Sequence, residues 1–311
     1  MKFSKSFAAL ALIAVASGAV AQTQLKVSTG SPSGTYSQMF KEFAGVCKDQ
    51  ITQIEVPSNG SIQNMDRLLG NEVNAAIVQT DVLFYRARNE DLSGVKTLFS
   101  LHPEEVHVIA PQISPITEGG VAGFRAKPIQ LTSVQDLSGR NVAAWGGSVV
   151  TAQVIRLQSE INFNVTEVAD FKAAKAALDT GKVAAIVMVG GQPMNDVRAL
   201  PNTYKLLPFN EVTQGKLKSV YVPAKLNYSN LGQGGSGVQT VATEALFVTR
   251  SYKTQKYVES LGALRACFKT NAPELSETTG THKKWAVVNP DNTGKWAFYE
   301  LPAVKVATTK K

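Results

Sequence analysis

The chain has 311 residues, of which 44% are hydrophobic, and it carries 32 basic and 24 acidic side chains for a formal charge of +8 at pH 7. This hydrophobic share is enough for packed cores. The basic residues are scattered, and the clearest clusters are pairs such as Lys283-Lys284 and Lys310-Lys311. Scattered charge is typical of a solvated surface, so the composition argues against a nucleic-acid partner.

The first residues have the pattern of a secretory signal. Lys2 and Lys5 precede an apolar stretch from Phe7 to Val15, and Ala19-Val20-Ala21 supplies the small residues of a cleavage site. We therefore predict a signal peptide over residues 1–21 and a mature protein in the periplasm. No stretch approaches the ~20 apolar residues of a membrane span, so we expect a protein that is not membrane-embedded. The mature chain of about 290 residues suggests two domains.

The first predicted strand leads into a turn that is suited to an anion. The strand covers residues 25–28, Gly30, Pro32 and Gly34 punctuate the turn, and a helix begins near Tyr36. The turn presents backbone N–H groups, hydroxyls and the positive end of a helix dipole. The alternative is an ordinary connection within an α/β domain.

Two segments of the chain share the element order βαβαβ. Strands are predicted at 25–28, 53–56 and 75–78 in the first segment, and at 141–145, 164–168 and 184–187 in the second. Helices with apolar residues at spacings of three and four separate these strands. Such units form largely parallel sheets covered by helices, so we predict an α/β fold with two lobes.

The lobes are predicted to face each other across a cleft. We assign residues 22–110 and 241–311 to the first lobe and 111–240 to the second, with crossing strands near Val106–Ala110 and Ala242–Val248. In open α/β sheets, ligands bind outside the carboxyl ends of the strands. The loops at those ends are Gly30–Tyr36, Ser58–Ser61, Gln79–Asp81, Trp145–Ser148 and Gly190–Pro193.

The two cysteines are predicted to form a disulfide. Export places Cys47 and Cys267 in an oxidising compartment, where two cysteines most simply pair. The bridge would tie the N-terminal helix to a C-terminal one, so both ends of the chain would belong to one domain. Two buried free thiols are the alternative.

The sequence carries no recognisable catalytic constellation. The segment Gly30–Gly34 has Pro32 at the position where a nucleophile elbow needs serine. Of the three histidines, His102 and His107 lack the spacing of a helical zinc motif, and His282 stands alone. We expect structural histidines, no metal, no cofactor and no enzymatic activity.

Ligand binding has better support, because polar and aromatic side chains follow the predicted strands. The candidates are Tyr36, Asn59, Gln79, Asp81, Trp145 and Gln192. Each has a structural alternative: Asn59 suits a turn, Asp81 suits a helix cap, and Trp145 suits a core. Their convergence on one side of two sheets favours a site.

At these residues the chain resembles periplasmic solute-binding proteins and, more narrowly, the TAXI receptors of tripartite ATP-independent periplasmic (TRAP) transporters. The resembling segments are 27–36, 58–69, 74–81, 101–109, 133–148, 181–193 and 241–250. The resemblance implies a type II periplasmic binding fold that captures a small organic anion, a carboxylate or an amino acid, and passes it to a membrane permease. It implies a receptor that works as a monomer.

The resemblance also implies which residues approach the ligand. These are Gly34, Thr35, Tyr36, Asn59, Gly60, Ser61, Gln79, Asp81, Gly191 and Gln192. Trp145, Gly147 and Ser148 complete the predicted site from the matching loop of the second unit. Trp145 stands where smaller residues are usual, which would shrink the pocket. Arg125 is a weak candidate for a carboxylate clamp.

Three other functions remain open from the sequence. The chain would equally suit the binding component of an ATP-driven (ABC) importer, for a pyrimidine- or sulfonate-like compound. It would also suit an exported enzyme on the same scaffold or a sensory partner of a membrane receptor.

Overall fold

A computed structural model of the protein describes residues 24–120 and 125–301, and the predicted signal peptide lies outside the described residues. The first unit contains β1 (Gln24–Ser28), α1 (Thr35–Cys47), β2 (Thr52–Val56), α2 (Ser61–Leu69), β3 (Ala75–Gln79) and α3 (Thr80–Arg86). Then follow the long strand β4 (Val95–Pro111) and the short strands β5 (Thr117–Glu118) and β6 (Lys127–Pro128).

The second predicted unit is also present. It contains β7 (Asn141–Ala144), α4 (Gly147–Ser159), β8 (Asn164–Glu167), α5 (Phe171–Asp179), β9 (Ala185–Gly190) and α6 (Asn195–Arg198). The chain continues with β10 (Tyr204–Leu206), α7 (Glu211–Leu217), β11 (Val222–Leu226), β12 (Val238–Arg250) and α8 (Gln255–Glu277). A turn of 3-10 helix, Lys283–Val287, lies in the tail that follows α8.

Local sequence explains why these elements form. β3 is buried along its whole length, as expected of an apolar strand with helices on both faces. α2 turns Met65 and Leu68 toward the core and ends at Gly70, whose N–H donates to backbone carbonyls of the last turn. α5 begins at Asp170, whose side chain accepts from the N–H of Ala173.

The central sheet has the strand order β2-β1-β3-β12-β4-β9-β7-β8. β1 pairs in parallel with β2 and β3, and β7 pairs in parallel with β8 and β9. The two parallel half-sheets are therefore built alike, each with its first strand in the middle. This is the predicted α/β architecture with two lobes.

The strands β4 and β12 join the two half-sheets. They pair with each other in antiparallel fashion, β12 also pairs with β3, and β4 also pairs with β9. The predicted crossing segments lie inside these strands, so that prediction is confirmed. The division of the chain at residues 110 and 240 falls near the end of β4 and the start of β12, and it stays a prediction.

The pairing register brings the carboxyl ends of β3 and β9 to the same region of the crossing strands β4 and β12. Gln79 at the end of β3 lies opposite Ala245, and Gly190 at the end of β9 lies opposite Glu105. Glu105 in turn lies opposite Ala242. The carboxyl ends of the two half-sheets therefore meet at the middle of the crossing strands.

The core of the first half is rich in aromatic rings and includes the C-terminal tail. Phe99 stacks on Phe268 with ring centroids 3.9 Å apart, and Phe43 meets Phe268 edge-on at 5.7 Å. Trp285 of the tail joins the same cluster, and Trp296 meets Phe84 at 5.3 Å. The tail therefore packs on the first half.

None of the helices in the described part of the chain combines the length and apolar composition that a membrane crossing requires.

A disulfide joins Cys47 at the end of α1 to Cys267 in α8, with Cα atoms 6.0 Å apart. Both residues are buried. The predicted pairing is confirmed, and it links the N-terminal helix to the long C-terminal helix across 220 residues of sequence.

Reducing this disulfide should destabilise the protein, because the bridge restricts the unfolded chain over a long loop. We expect the double variant Cys47→Ala/Cys267→Ala to lose about 2–5 kcal/mol of unfolding free energy. Denaturant unfolding with and without reductant measures the effect. The double variant is its own control, since reductant should leave it unchanged. Identical wild-type curves in both conditions would contradict the prediction.

Candidate ligand-binding site

A cavity of about 1300 Å³ lies between the two half-sheets. Its walls come from the loops after β1, β2, β7 and β9, from α1 and α6, from single residues of β3 and β4, and from the tail after α8. Ten of the thirteen predicted ligand residues line it: Gly34, Thr35, Tyr36, Asn59, Gly60, Ser61, Gln79, Trp145, Gly191 and Gln192. Asp81, Gly147 and Ser148 are not among the lining residues.

Two helices, α1 and α2, begin on the cavity wall with uncapped N-termini, and the glycine before α4 lies on the same wall. The residues before α1, α2 and α4 are Gly34, Gly60 and Gly146, and no side chain caps any of the three. Of the other helices, α5 and α7 are capped by Asp170 and Asn210, whereas α3, α6 and α8 also lack a side-chain cap. First-turn N–H groups without a capping side chain are donors for an anion, and the helix dipole favours negative charge there.

Glycine is required at two of these positions by backbone geometry. Gly60 has φ +107° and Gly146 has φ +49°, values that side chains disfavour. A Cβ at either position would meet no atom within 4 Å, so the constraint is conformational and not one of space.

The floor of the cavity carries a buried carboxyl that the sequence analysis missed. The Tyr36 hydroxyl donates to Glu104 Oε2 at 2.8 Å, and both side chains are buried. Burial raises the pKa of Glu104 to about 7, hydrogen bonds from Tyr36 and Gln79 oppose this, and the charge of Asp81 adds to it. The available signal was the acidic pair Glu104-Glu105 immediately before the predicted crossing segment Val106–Ala110.

Gln79 reaches from the first half toward the second. Its side chain is 6% exposed and lines the cavity, and its Oε1 has no hydrogen-bond partner among the described residues. A Cβ on Gly147 would lie 2.8 Å from this oxygen, so glycine at the start of α4 leaves it room. The oxygen is therefore buried against the start of α4, while the rest of the Gln79 side chain lines the cavity.

Gln192 lines the cavity, but its side chain is already used. Its Nε2 donates to the Lys225 carbonyl at 2.7 Å, and its Oε1 accepts from the Asn227 N–H at 3.1 Å. Its own N–H donates to Glu105 Oε2 at 2.8 Å. Gln192 therefore holds the loop after β9 in place, and its amide does not face a ligand unpaired.

Glu105 forms a buried ion pair that was also missed. Lys284 of the tail lies 3.0 Å and 3.1 Å from its two carboxylate oxygens and also donates to the Pro103 carbonyl at 2.9 Å. A Cβ on Gly191 would come within 2.3 Å of Lys284 Cε, so glycine at 191 admits this lysine. The pair joins the tail, the crossing strand and the second half.

Asp81 lies below the cavity and not on its wall, which differs from the sequence prediction. Its Oδ2 accepts from the Thr151 hydroxyl at 2.6 Å and from the Tyr221 hydroxyl at 2.9 Å. Burial raises its pKa, and these hydrogen bonds oppose the shift. α3 begins directly after β3, so the carboxylate turns toward α4.

The other two non-lining residues have structural surroundings. The Ser148 hydroxyl accepts from the Val189 N–H at 3.1 Å, which ties α4 to β9. Gly147 is the first residue of α4 and lies against Gln79. Trp145, just before them, is half-buried, lines the cavity and meets the ring of Phe171 at 6.0 Å.

The three histidines differ in environment. His102 and His107 are buried, and burial lowers their pKa values to about 3 and about 4. His107 pairs with the Tyr228 hydroxyl at 2.8 Å, as expected of a structural histidine. His282 instead lines the cavity, together with the cations Lys41, Arg198, Lys283 and Lys284. Arg125 is not among the lining residues.

Comparison with known proteins gives a family match. The chain matches the profile of the NMT1-like family over residues 27–294. Similar solved structures include the substrate-binding protein of an amino acid ABC transporter, with 11% identity and a TM-score of 0.47 over 81% of this chain and 94% of that one. The GluR0 ligand-binding core with L-glutamate has 16% identity and a TM-score of 0.47, over 83% and 98%. A protein bound to L-arginine has 13% identity and a TM-score of 0.48, over 83% and 91%.

The ionisation of Glu104 should make stability depend on pH. Its pKa is about 7 in the folded protein against an ordinary 4.5, so folding favours the protonated carboxyl. The contribution of protonated Glu104 to the free energy of unfolding is fully present below about pH 4.5. It is lost as the pH rises through about 7, and the loss is on the order of 3 kcal/mol. Glu104→Gln should remove it, which unfolding free energies from pH 4.5 to 8 measure.

The control for this experiment is the same substitution at the exposed Glu259 of α8. Glu259→Gln should follow the wild-type pH profile. Parallel profiles for Glu104→Gln and wild type would contradict the assignment of the raised pKa to Glu104.

Proposed function

Because the chain belongs to the NMT1-like family and its two half-sheets enclose a cavity, we propose that it is a solute-binding receptor for a small organic anion. One observation carries the proposal: the glycine-preceded N-termini of α1 and α2, neither with a side-chain cap, open into the same cavity. Their N–H groups and dipoles would hold the anionic end of the solute. The predicted signal peptide supports a periplasmic location for this receptor.

The cavity charges favour a solute with two kinds of polar end. Lys41, Arg198 and Lys283 line the cavity and would attract an anion. Glu104 lies on the floor, where its carboxyl would suit an ammonium group or another donor. An amino acid therefore fits this arrangement better than a plain dicarboxylate.

Individual roles follow from position. We propose that the N–H groups of Thr35 and Ser61 contact the anionic end and that the side chain of Gln79 contacts the solute from the cavity wall. The rings of Tyr36 and Trp145 would flank its apolar part.

Transport requires that the permease distinguish loaded from empty receptor. A solute that contacts both halves would stabilise the closed arrangement. We propose that the halves close by bending at β4 and β12, the strands that join them.

The membrane partner is a finer question. The TAXI resemblance implies a TRAP permease, but the match to the NMT1-like family supports the alternative, an ABC importer, better than this reading. The cavity would serve either. ATP dependence of solute uptake by receptor and cognate permease separates them. Turnover of a bound solute would instead support the reading as an exported enzyme.

Thermal unfolding against a panel of acids tests the proposal. The panel is succinate, L-glutamate, 2-oxoglutarate and isethionate. A bound solute at ~100 times its Kd stabilises the protein by about 2.7 kcal/mol, a shift of several degrees. Gln79→Ala should weaken binding by about tenfold or more, because it removes a hydrogen bond inside the cavity.

The matched control is Gln255→Ala at the exposed start of α8, which should bind as wild type does. Mass spectrometry of the denatured supernatant checks for solute already bound. No shift with any acid and no co-purified anion would contradict the proposal.

A further inference from the structure

The tail after α8 forms a wall of the cavity beside the N-terminus of α1. Thr281, His282, Lys283 and Lys284 all line the cavity. His282 Nε2 lies 3.4 Å from the Thr35 hydroxyl, and Thr35 is the first residue of α1. The imidazole therefore stands where the uncapped N–H groups of α1 would meet an anion.

The backbone determines which nitrogen of His282 carries the proton. Nδ1 accepts from the Lys284 N–H at 3.1 Å, so the neutral ring has its hydrogen on Nε2. Burial lowers the pKa of His282, and the charges of Glu42 and Lys284 act in opposite directions. The ring is thus a neutral donor with its N–H directed toward Thr35 and the cavity.

The position of the ring is fixed by neighbours on α1 and β4. The two carboxylate oxygens of Glu42 accept from the backbone N–H of His282 at 3.0 Å and 3.1 Å. One of them, Oε2, also accepts from Trp285 Nε1 at 2.6 Å. The Lys284–Glu105 pair holds the next turn. A preorganised donor of this kind loses little entropy when it binds.

The contact with Thr35 leaves the donor capacity of His282 poorly used. A separation of 3.4 Å exceeds the usual 2.7–3.2 Å of a hydrogen bond to oxygen. An anionic oxygen on the cavity side of this contact would accept from His282 Nε2–H and from an N–H group of the first turn of α1.

We propose that His282 is a ligand-contacting, specificity-determining residue, whose Nε2–H joins the N-terminus of α1 in binding the anionic group of the solute. This inference rests on the proposed function of the cavity. It assigns to the C-terminal tail the part that a clamp arginine plays in other carboxylate sites. A neutral N–H donor contributes a directional hydrogen bond and no net charge. His282 should therefore select for solutes that place an acceptor oxygen in line with its Nε2–H.

Two amide substitutions separate binding from structure. His282→Asn retains an acceptor at the Nδ1 position, and asparagine is a favoured N-cap, but it cannot reach the position of Nε2. His282→Gln places an amide donor near the Nε2 position. We expect His282→Asn to weaken binding about tenfold to a hundredfold and His282→Gln to remain within a few-fold of wild type.

Binding is measured by calorimetry with whichever of succinate, L-glutamate, 2-oxoglutarate and isethionate shifts the wild-type unfolding temperature. The unfolding temperature of each solute-free variant is measured beside it. Lys283→Ala is the control for general charge: its effect should vanish at high salt, because exposed charges are screened. The effect of His282→Asn should persist.

The outcomes distinguish the two proposals. Weaker binding by His282→Asn, with unchanged solute-free stability and with recovery in His282→Gln, supports the inference. Wild-type affinity in His282→Asn overturns the inference alone, as does an equal loss of binding and stability in both variants. Absence of wild-type binding to every acid, with no co-purified anion, overturns the proposed function and the inference with it.

Discussion

The antiparallel pairing of β4 with β12 is the constraint on which the rest of the structure depends. Each strand borders one parallel half-sheet, β12 beside β3 and β4 beside β9. Their register brings Gln79 and Gly190, the last residues of β3 and β9, to levels that correspond to Ala245 and Ala242 of β12, three residues apart. Loops that follow parallel strands carry the uncapped helix starts. The cavity is therefore a consequence of strand register, and its polar lining is a consequence of parallel topology.

Buried ionisable groups concentrate at this junction, and each is paired. Lys284 neutralises Glu105, Tyr36 donates to Glu104, and Thr151 with Tyr221 donates to Asp81. Removing one partner would leave an uncompensated buried group, which costs more than the pair contributes. These contacts also cross between segments: Asp81 joins α3 to α4. The buried polar groups at and beside the cavity therefore also fix how the halves meet.

The sequence predicted what depends on local pattern. Both βαβαβ units, the crossing strands and the disulfide partners followed from periodicity, turn residues and compartment, and ten predicted residues do line the cavity. Glu104 and His282 were missed because antiparallel register and a tail contact bring them there, and no local pattern encodes either. Asp81 followed a strand as expected, but α3 begins at once and rotates the carboxylate away.

The tail gains its position from contacts that are distant in sequence. The disulfide fixes α8 against α1, Glu42 of α1 then holds the backbone of His282, and Glu105 holds Lys284. Each contact spans more than 170 residues, so none forms until both ends of the chain have come together. The wall beside the α1 N-terminus is therefore completed only in the fully folded protein. Stability of the first half and geometry of the proposed anion site then depend on the same three contacts.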